Sequence, residues 1–302
     1  MIAKKYMLAL CAGLVVSACA PADKTNEIVI QGSDTEVQLV SALVEAFSVD
    51  HPDAHISVAG GGSAVGIAAL INGEADIANS SRQMKPEETQ SARDKGKDPQ
   101  EFILARDGLS VIIHPSNPVR SLTMDQVSAI YKGTVTNWKD VGGTDLPITL
   151  YGRQSTSGTF GFFRDSVVKA DYAESMRQME GTQAIVDGVI NDKQGIGYAG
   201  VGYVVAEDGK ARSDIAVVTI SATQGSEAIS PLDIDAVMSG RYPIFRRIYQ
   251  YMPLLPAKDS LLAQLLAFET SERGMEIIRD QGFYPLTPED LAQNKAILDS
   301  LK

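Results

Sequence analysis

The sequence predicts an α/β protein with mainly parallel sheets. Short apolar runs typical of strands alternate along the chain with segments whose apolar residues recur at helical spacing. Three of the strand-to-helix connections are also rich in glycine, serine and threonine. Ligands of open α/β sheets bind where such connections leave the carboxyl ends of the strands. The same observations therefore predict the fold class and the region of the binding site.

The first of these connections lies near the amino end. Residues 27–30 are a predicted buried strand, residues 31–35 are a turn, and the apolar residues from Val37 to Phe47 share one face of a helix. A helix start leaves its first N–H groups without intrahelical partners. We therefore expect Thr35 to offer its hydroxyl, and the N–H groups of Thr35 and Glu36 to point outward.

The second connection is the most glycine-rich. A predicted strand at residues 55–58 leads into three glycines and Ser63, and a short helix then ends at Asn72-Gly73. No lysine follows the glycines, which excludes a phosphate loop of the kinase type. Between a strand and a helix, the glycines are expected to expose backbone N–H groups. The next strand, at residues 75–78, runs into residues 79–82, Asn-Ser-Ser-Arg.

The third connection, residues 153–159, follows a predicted strand at residues 146–151 and precedes a helix. The start of that helix carries roughly half a positive charge. Ser157 and Thr159 add hydroxyls, Gly158 lets a ligand approach the backbone, and Arg153 supplies a planar cation. The alternative is an ordinary helix cap with Arg153 on the surface. The recurrence of the same pattern three times favours an anion receptor.

The remaining elements complete the alternation of strands and helices. Two separate strands are predicted at residues 102–105 and 109–113, with residues 106–108 between them. Further strands or extended segments are predicted at residues 193–198 and 242–252. The further helices are predicted at residues 124–131, 182–189, 231–239, 261–270, 272–280 and 288–301.

Length and charge narrow the kind of partner. The 302 residues suffice for about two domains, and the formal net charge of −11 argues against nucleic acid, which requires a basic surface. Because the protein as a whole repels anions, an anion must be held by nearby backbone dipoles and one or two cationic side chains. This favours a small, enclosed ion. Two lobes gripping one ion from both sides would close around it at a hinge.

The amino terminus is a targeting segment. Lys4 and Lys5 precede an apolar run that is too short to span a bilayer, and the run ends in residues 16–19, Val-Ser-Ala-Cys. This pattern resembles a bacterial lipobox: a signal peptide at residues 1–18, lipidation at Cys19, and a polar tether at residues 19–26. Ordinary secretory cleavage is the alternative. The only other cysteine is Cys11, so the mature chain would have no disulfide.

Several motifs occur in the order typical of one family. The chain resembles the extracytoplasmic phosphate-binding lipoproteins of Pst-type ABC phosphate importers, from about residue 27 to residue 302. The block R-x-x-x-S-G-T is the most specific of these motifs, and GGGS alone is weak. The matching segments are GSDT (32–35), GGGSAVG (60–66), ADIANSSR (75–82), GLSVIIHPSNPV (108–119), IYKGTVTNWKDVGG (130–143), RQSTSGTF (153–160), QGIGYAG (194–200) and RYPIFRRIYQY (241–251).

The resemblance implies a two-lobed, class II periplasmic-binding fold whose lobes are joined by hinge strands. Lobe 1 would comprise residues 27–105 and 252–302, and lobe 2 residues 106–251. It also implies a monomer that binds inorganic phosphate and delivers it to an ABC permease, without cofactor, metal or catalysis. The implied phosphate ligands are Thr35, Glu36 through its N–H, Ser63, Arg153, Ser157, Gly158 and Thr159.

The chain departs from the family's pattern at one position. Well-known members carry an aspartate that accepts the proton of bound phosphate, and this chain has Ser81 there. Ser81 is still expected in the site, with Ser33 as a further candidate. Asp34 and Glu36 are candidate replacements for the missing carboxylate. Arg82 either adds positive charge near the site or forms an ion pair at the surface or hinge.

Three other functions are alternatives to phosphate transport. A serine hydrolase is disfavoured because residues 61–65 lack the closing glycine of a nucleophile elbow. The three histidines, His51, His55 and His114, show no metal or triad spacing and are expected in loops or at the surface. A sensor or surface adhesin with the same fold remains an alternative, as does a binder of another tetrahedral oxyanion such as sulfate.

Overall fold

The computed structural model describes residues 26–206 and 210–300. The predicted signal peptide at residues 1–18, the lipidation site Cys19 and nearly all of the tether lie outside the described residues. Along the described part of the chain, no helix combines the length and the apolar character needed to cross a membrane.

The strands and helices alternate as expected for an α/β protein. The strands are β1 (Glu27–Gly32), β2 (His55–Ala59), β3 (Ile77–Ser80), β4 (Gln100–Ile113), β5 (Ser121–Thr123), β6 (Thr149–Arg153), β7 (Arg177–Met179), β8 (Gly195–Gly200), β9 (Ala216–Ser221), β10 (Ala228–Ile229) and β11 (Phe245–Met252). The helices are α1 (Val37–Ser48), α2 (Ser63–Asn72), α3 (Pro86–Asp94), α4 (Met124–Tyr131), α5 (Gly158–Phe163), α6 (Thr182–Ile190), α7 (Ile234–Met238), α8 (Leu261–Glu269), α9 (Glu272–Asp280) and α10 (Pro288–Ser300).

The sheet is mixed, with parallel strands at its two ends and antiparallel pairs at its centre. Its strand order is β2-β1-β3-β11-β4-β8-β6-β7, and β9 also pairs with β4. β1 runs parallel to β2 and β3, and β6 runs parallel to β7 and β8. The long strand β4 is antiparallel to β11, β8 and β9. The α/β class is therefore confirmed, but the central pairings make the sheet less parallel than the sequence suggested.

Two hydrophobic cores divide the molecule into two lobes. One core is built from residues 109–244 together with Tyr284. The other core and a smaller cluster beside it are built from residues 28–105 and 248–297. Strand β4 is continuous between them and contributes residues to both, and β11 lies beside it. The boundaries at 105/106 and 251/252 stay predictions, because the strands that cross between the lobes are unbroken there.

The predicted separation of two strands by residues 106–108 is wrong, because one strand, β4, runs through them. Arg106, Asp107 and Gly108 lie inside β4 and pair in register with residues 247, 246 and 245 of β11. The Arg106 guanidinium donates to Asp290, and the fully buried Asp107 accepts from Arg246. These partners lie more than a hundred residues away in the sequence, so nothing local showed that the strand continues through two charged residues and a glycine.

Candidate functional site

Five hydroxyl side chains form a buried group that we call the hydroxyl cluster: Ser33, Thr35, Ser63, Ser81 and Thr159. Each is at most 2 % exposed. The Ser33 hydroxyl donates to Ser81 Oγ at 3.0 Å, and Thr35 Oγ1 lies 3.0 Å from Thr159 Oγ1. Ser81 Oγ also lies 3.4 Å from Ser63 Oγ and 3.5 Å from Thr159 Oγ1. The three predicted connections therefore converge on one point.

The cluster lies where the two lobes touch. Thr35 and Ser63 belong to the lobe built on β1–β3, whereas Thr159 lies in the first turn of α5 in the other lobe. Glycine is required on both sides of this contact. A Cβ on Gly158 would lie 2.2 Å from Ser63 Oγ, and a Cβ on Gly62 would lie 2.6 Å from the Thr156 carbonyl oxygen. Any larger residue at either position would hold the lobes apart.

Arg153 is a buried cation of the site, only 1 % exposed, and not the surface arginine of the alternative interpretation. Its Nη1 donates to Thr182 Oγ1 at 3.1 Å, and its Nη2 donates to the Asp34 carboxylate of the other lobe. Its Nε is buried without a partner among the described residues. Two of the five guanidinium N–H groups are used in these bonds, so three, including that of Nε, remain as donors for a ligand.

Ser157 is the N-cap of α5, so the cap interpretation is also correct. Its Oγ accepts the N–H groups of Thr159 at 3.1 Å and Phe160 at 3.4 Å. An accepting hydroxyl oxygen still carries a hydrogen that can be donated. The capping role therefore fixes the position of the Ser157 hydroxyl without excluding a bond from it to an anion.

Arg246 is a second buried cation that the sequence analysis did not identify. Its Nη1 donates to Thr159 Oγ1 at 3.0 Å and to the Ser81 carbonyl at 3.3 Å. Its Nε and Nη2 donate to Asp107 Oδ2 at 3.0 and 2.8 Å. Burial raises the pKa of Asp107, and the Arg246 guanidinium opposes that rise. The only sequence signal was the position of Arg246 in the matching segment 241–251.

Arg82 makes an ion pair. Its two Nη atoms donate to Glu88 at 2.8 and 2.6 Å, and Nη1 also donates to the Gln83 carbonyl. The Arg82 side chain is therefore bonded to a residue of α3 and to the loop in which Arg82 itself lies. Of the two interpretations offered for Arg82, the structure supports the ion pair.

The two candidate carboxylates take different positions. Asp34 accepts from the Gly61 N–H at 2.8 Å and from Arg153, and so links two of the glycine-rich connections. Glu36 is fully buried, and neither of its oxygens has a hydrogen-bond partner among residues 26–206 and 210–300. Within the same ranges, Ser81 Oγ bonds only to other cluster hydroxyls. Neither carboxyl group is therefore bonded to Ser81, and a role for either in place of the family's aspartate stays a prediction.

This arrangement can bind a small anion. Hydroxyls, helix N-termini and two guanidinium groups converge within a buried volume, where such donors are strongest. His51 is hydrogen-bonded to Phe47 and Gln264, and His114 to Ser116, all away from the hydroxyl cluster. In the described part of the chain, no group of three or more histidine, cysteine, aspartate or glutamate side chains is placed to hold a metal ion.

Comparison with known proteins identifies the family. Residues 18–273 match the family model described as a PBP superfamily domain. The phosphate-binding protein PstS of Pseudomonas aeruginosa is 32% identical over 271 residues, which cover 84% of this chain and 81% of that protein. The phosphate-binding protein PstS of Staphylococcus aureus is 30% identical over 305 residues, covering 97% of this chain and 90% of that protein.

A solved structure agrees with these matches. It comes from Clostridium perfringens and is described as a phosphate ABC transporter substrate-binding protein with bound phosphate. It superimposes with a TM-score of 0.76 at 28% identity and covers 87% of this chain and 100% of that one. With the fold, the order of the motifs and the sequence matches in agreement, this chain belongs to the PBP superfamily and, within it, to the family of PstS phosphate-binding proteins.

Proposed function

We propose that this protein captures inorganic phosphate between its two lobes and delivers it to an ABC permease for import. The observation that carries the proposal is the hydroxyl cluster, in which both lobes contribute buried hydroxyls beside two buried arginines. The relatives named for phosphate binding support the choice of anion. Binding without catalysis is the proposed activity.

We further propose which groups hold the ion. Both lobes contribute, and the Nε of Arg153, which has no partner among the described residues, is one of the donors. Arg246 joins the set because it already donates to Thr159. The proposed ligands are Thr35, the N–H of Glu36, Ser63, Ser81, Arg153, Ser157, Gly158, Thr159 and Arg246, with Ser33 behind them.

The number of donors suffices for tight binding. About ten hydrogen bonds to a charged oxyanion, each contributing on the order of 1.5–3 kcal/mol before ordering costs, support micromolar or tighter affinity. If residues 1–18 are removed, Lys4 and Lys5 are lost, and 25 basic against 38 acidic residues leave a net charge of −13. The hydroxyl cluster must therefore hold phosphate although the net negative charge of the protein repels it, which favours full enclosure of the ion between the lobes.

Thermal unfolding with and without phosphate tests this function. Phosphate at about a thousandfold excess over its Kd should stabilise the folded protein by about 4 kcal/mol, and so raise the Tm by roughly 8–16 °C. Sulfate at the same concentration should raise the Tm much less, and chloride at matched ionic strength is the control. Equal shifts with phosphate and sulfate would contradict phosphate selectivity, and no shift with either would contradict the anion site.

We also propose that the mature chain is anchored to a bacterial membrane on its extracytoplasmic side by lipid on Cys19, as a monomer. The lipobox at residues 16–19 supports this proposal. Globomycin, which blocks lipoprotein signal peptidase, should cause the precursor to accumulate, and Cys19→Ser should release the protein from the membrane fraction. Processing that is insensitive to globomycin, or a membrane-bound Cys19→Ser variant, would contradict the anchor.

A further inference from the structure

A buried ion pair lies on the two strands that connect the lobes. Asp107 of β4 and Arg246 of β11 are paired in register, and they are 0 % and 5 % exposed. In each of these two segments, the charged residue lies between the last residue of one hydrophobic core and the first residue of the other. The pair therefore belongs to the connection between the lobes and to neither core.

One carboxylate oxygen of Asp107 fixes the Arg246 guanidinium at two points. Asp107 Oδ2 accepts from Nε at 3.0 Å and from Nη2 at 2.8 Å. Two bonds from different nitrogens of a planar group leave that group little freedom to rotate. One face of the guanidinium is also covered, because the Phe162 ring centroid lies 5.5 Å from Arg246 Cζ. The remaining terminal nitrogen, Nη1, is thereby held in one direction.

Arg246 Nη1 reaches residues of both lobes beside the hydroxyl cluster. It donates to Thr159 Oγ1 at 3.0 Å and to the Ser81 carbonyl at 3.3 Å. Ser81 follows β3 in one lobe, and Thr159 lies in α5 of the other lobe. Since the Thr159 oxygen accepts from Arg246, the Thr159 hydroxyl hydrogen must point away from Arg246, into the hydroxyl cluster. Arg246 therefore orients one proposed phosphate ligand and links the two lobes.

We propose that Asp107 is a positioning residue for phosphate binding, which acts through Arg246 without touching the ion. Asp107 Oδ2 holds the guanidinium, the guanidinium orients the Thr159 hydroxyl, and that hydroxyl donates to phosphate. This inference rests on the proposed function. The arrangement also gives the connecting strands a direct contact with the site, because Nη1 can bond to Ser81 and Thr159 together only when the lobes are closed.

The acceptor oxygen and the negative charge of Asp107 have opposite effects on phosphate binding. The oxygen favours binding by fixing Arg246, whereas the charge repels a nearby anion. Asparagine keeps an oxygen that can accept both guanidinium bonds and removes the charge, and alanine removes both. Asp107→Ala should therefore weaken phosphate binding about ten- to hundredfold, as expected for one hydrogen bond to a charged group. Asp107→Asn should bind phosphate at least as tightly as the wild type.

Titration calorimetry with inorganic phosphate on a double-mutant cycle tests whether the effect of Asp107 passes through Arg246. Arg246→Gln alone should weaken binding at least as much as Asp107→Ala. Adding Asp107→Ala to Arg246→Gln should change the affinity by less than about twofold, because the group that Asp107 positions is already absent. This second comparison holds even if Asp107→Ala alone fails to fold, since the double variant removes both members of the buried pair.

Asp290→Asn is the matched control. Asp290 is likewise fully buried, and it accepts from Arg106, the neighbour of Asp107 in β4, at 2.6 and 3.1 Å. Its other bonds go to Arg247 and Thr287 and not to the hydroxyl cluster. The phosphate affinity of Asp290→Asn should therefore remain within about twofold of wild type.

Three results would overturn the inference. They are a folded Asp107→Ala protein with wild-type affinity, an equal loss in Asp107→Asn and Asp107→Ala, and a full loss from Asp107→Ala that persists in the Arg246→Gln background. Absence of phosphate binding by the wild type would instead overturn the proposed function.

Discussion

Arg153→Ala is expected to weaken phosphate binding by about 10²–10⁴-fold. Each hydrogen bond from a charged donor contributes roughly 1.5–3 kcal/mol, and we expect the guanidinium to give two of them to the ion. The substitution also removes the partner of Asp34, a carboxylate that accepts from Arg153 across the lobe boundary. That unpaired negative charge would then face the incoming anion.

Titration calorimetry measures this loss, and circular dichroism checks that the variant remains folded. Arg177→Ala is the matched control. Arg177 belongs to the same lobe, is exposed, and donates to the Tyr151 hydroxyl away from the hydroxyl cluster. We expect the control to bind phosphate within about twofold of wild type, as is usual for exposed residues outside a site. A folded Arg153→Ala protein with wild-type affinity would remove Arg153 from the proposed ligands.

Gly158→Ala is expected to prevent the lobes from closing. The added Cβ would lie 2.2 Å from Ser63 Oγ and 2.9 Å from Ser81 Oγ, both on the opposite lobe. Because the clash is between lobes and not within one, the open protein can avoid it and should remain folded. Overpacking typically costs about 1–3 kcal/mol, so phosphate affinity should fall by about fivefold to a hundredfold or more.

Small-angle scattering distinguishes this effect from simple loss of a contact. The wild type should become more compact when phosphate is added, and Gly158→Ala should not. Gly161→Ala, on the same helix, is the control, since its Cβ would meet only Arg82 Cδ at an ordinary 3.7 Å. A Gly158→Ala protein that closes on phosphate like the wild type would contradict the close approach of Gly158 to Ser63.

The parts of the site that could be predicted from sequence are those encoded locally. Thr35, Ser63 and Ser157 each lie beside a strand and a helix that are adjacent in the chain, so residue spacing alone located them at helix starts. The structure also places the starts of α1, α2 and α5 at the predicted connections. A ligand role for these residues stays a proposal.

The parts that the sequence did not show depend on distant partners. Asp107 and Arg246 lie 139 positions apart, and only the pairing of β4 with β11 brings them together. The burial of Glu36 likewise depends on the packing of a whole lobe, since nothing in residues 32–36 distinguishes a buried carboxyl from an exposed one. Antiparallel pairing at the centre of the sheet is a property of the chain path, which local periodicity does not contain.

Three polar pairs join the two lobes beside the hydroxyl cluster. Thr35 meets Thr159, Asp34 meets Arg153, and the Tyr203 hydroxyl donates to the Asp34 carbonyl at 3.2 Å. Water can replace the partner in each of these bonds, because the net contribution of a protein hydrogen bond is only about 0.5–1.5 kcal/mol between neutral groups and about 1.5–3 kcal/mol where a charged group takes part. The two halves accordingly adhere weakly to each other when nothing lies between them. A binding protein built in this way can open and release its ligand without exposing a hydrophobic interface to water.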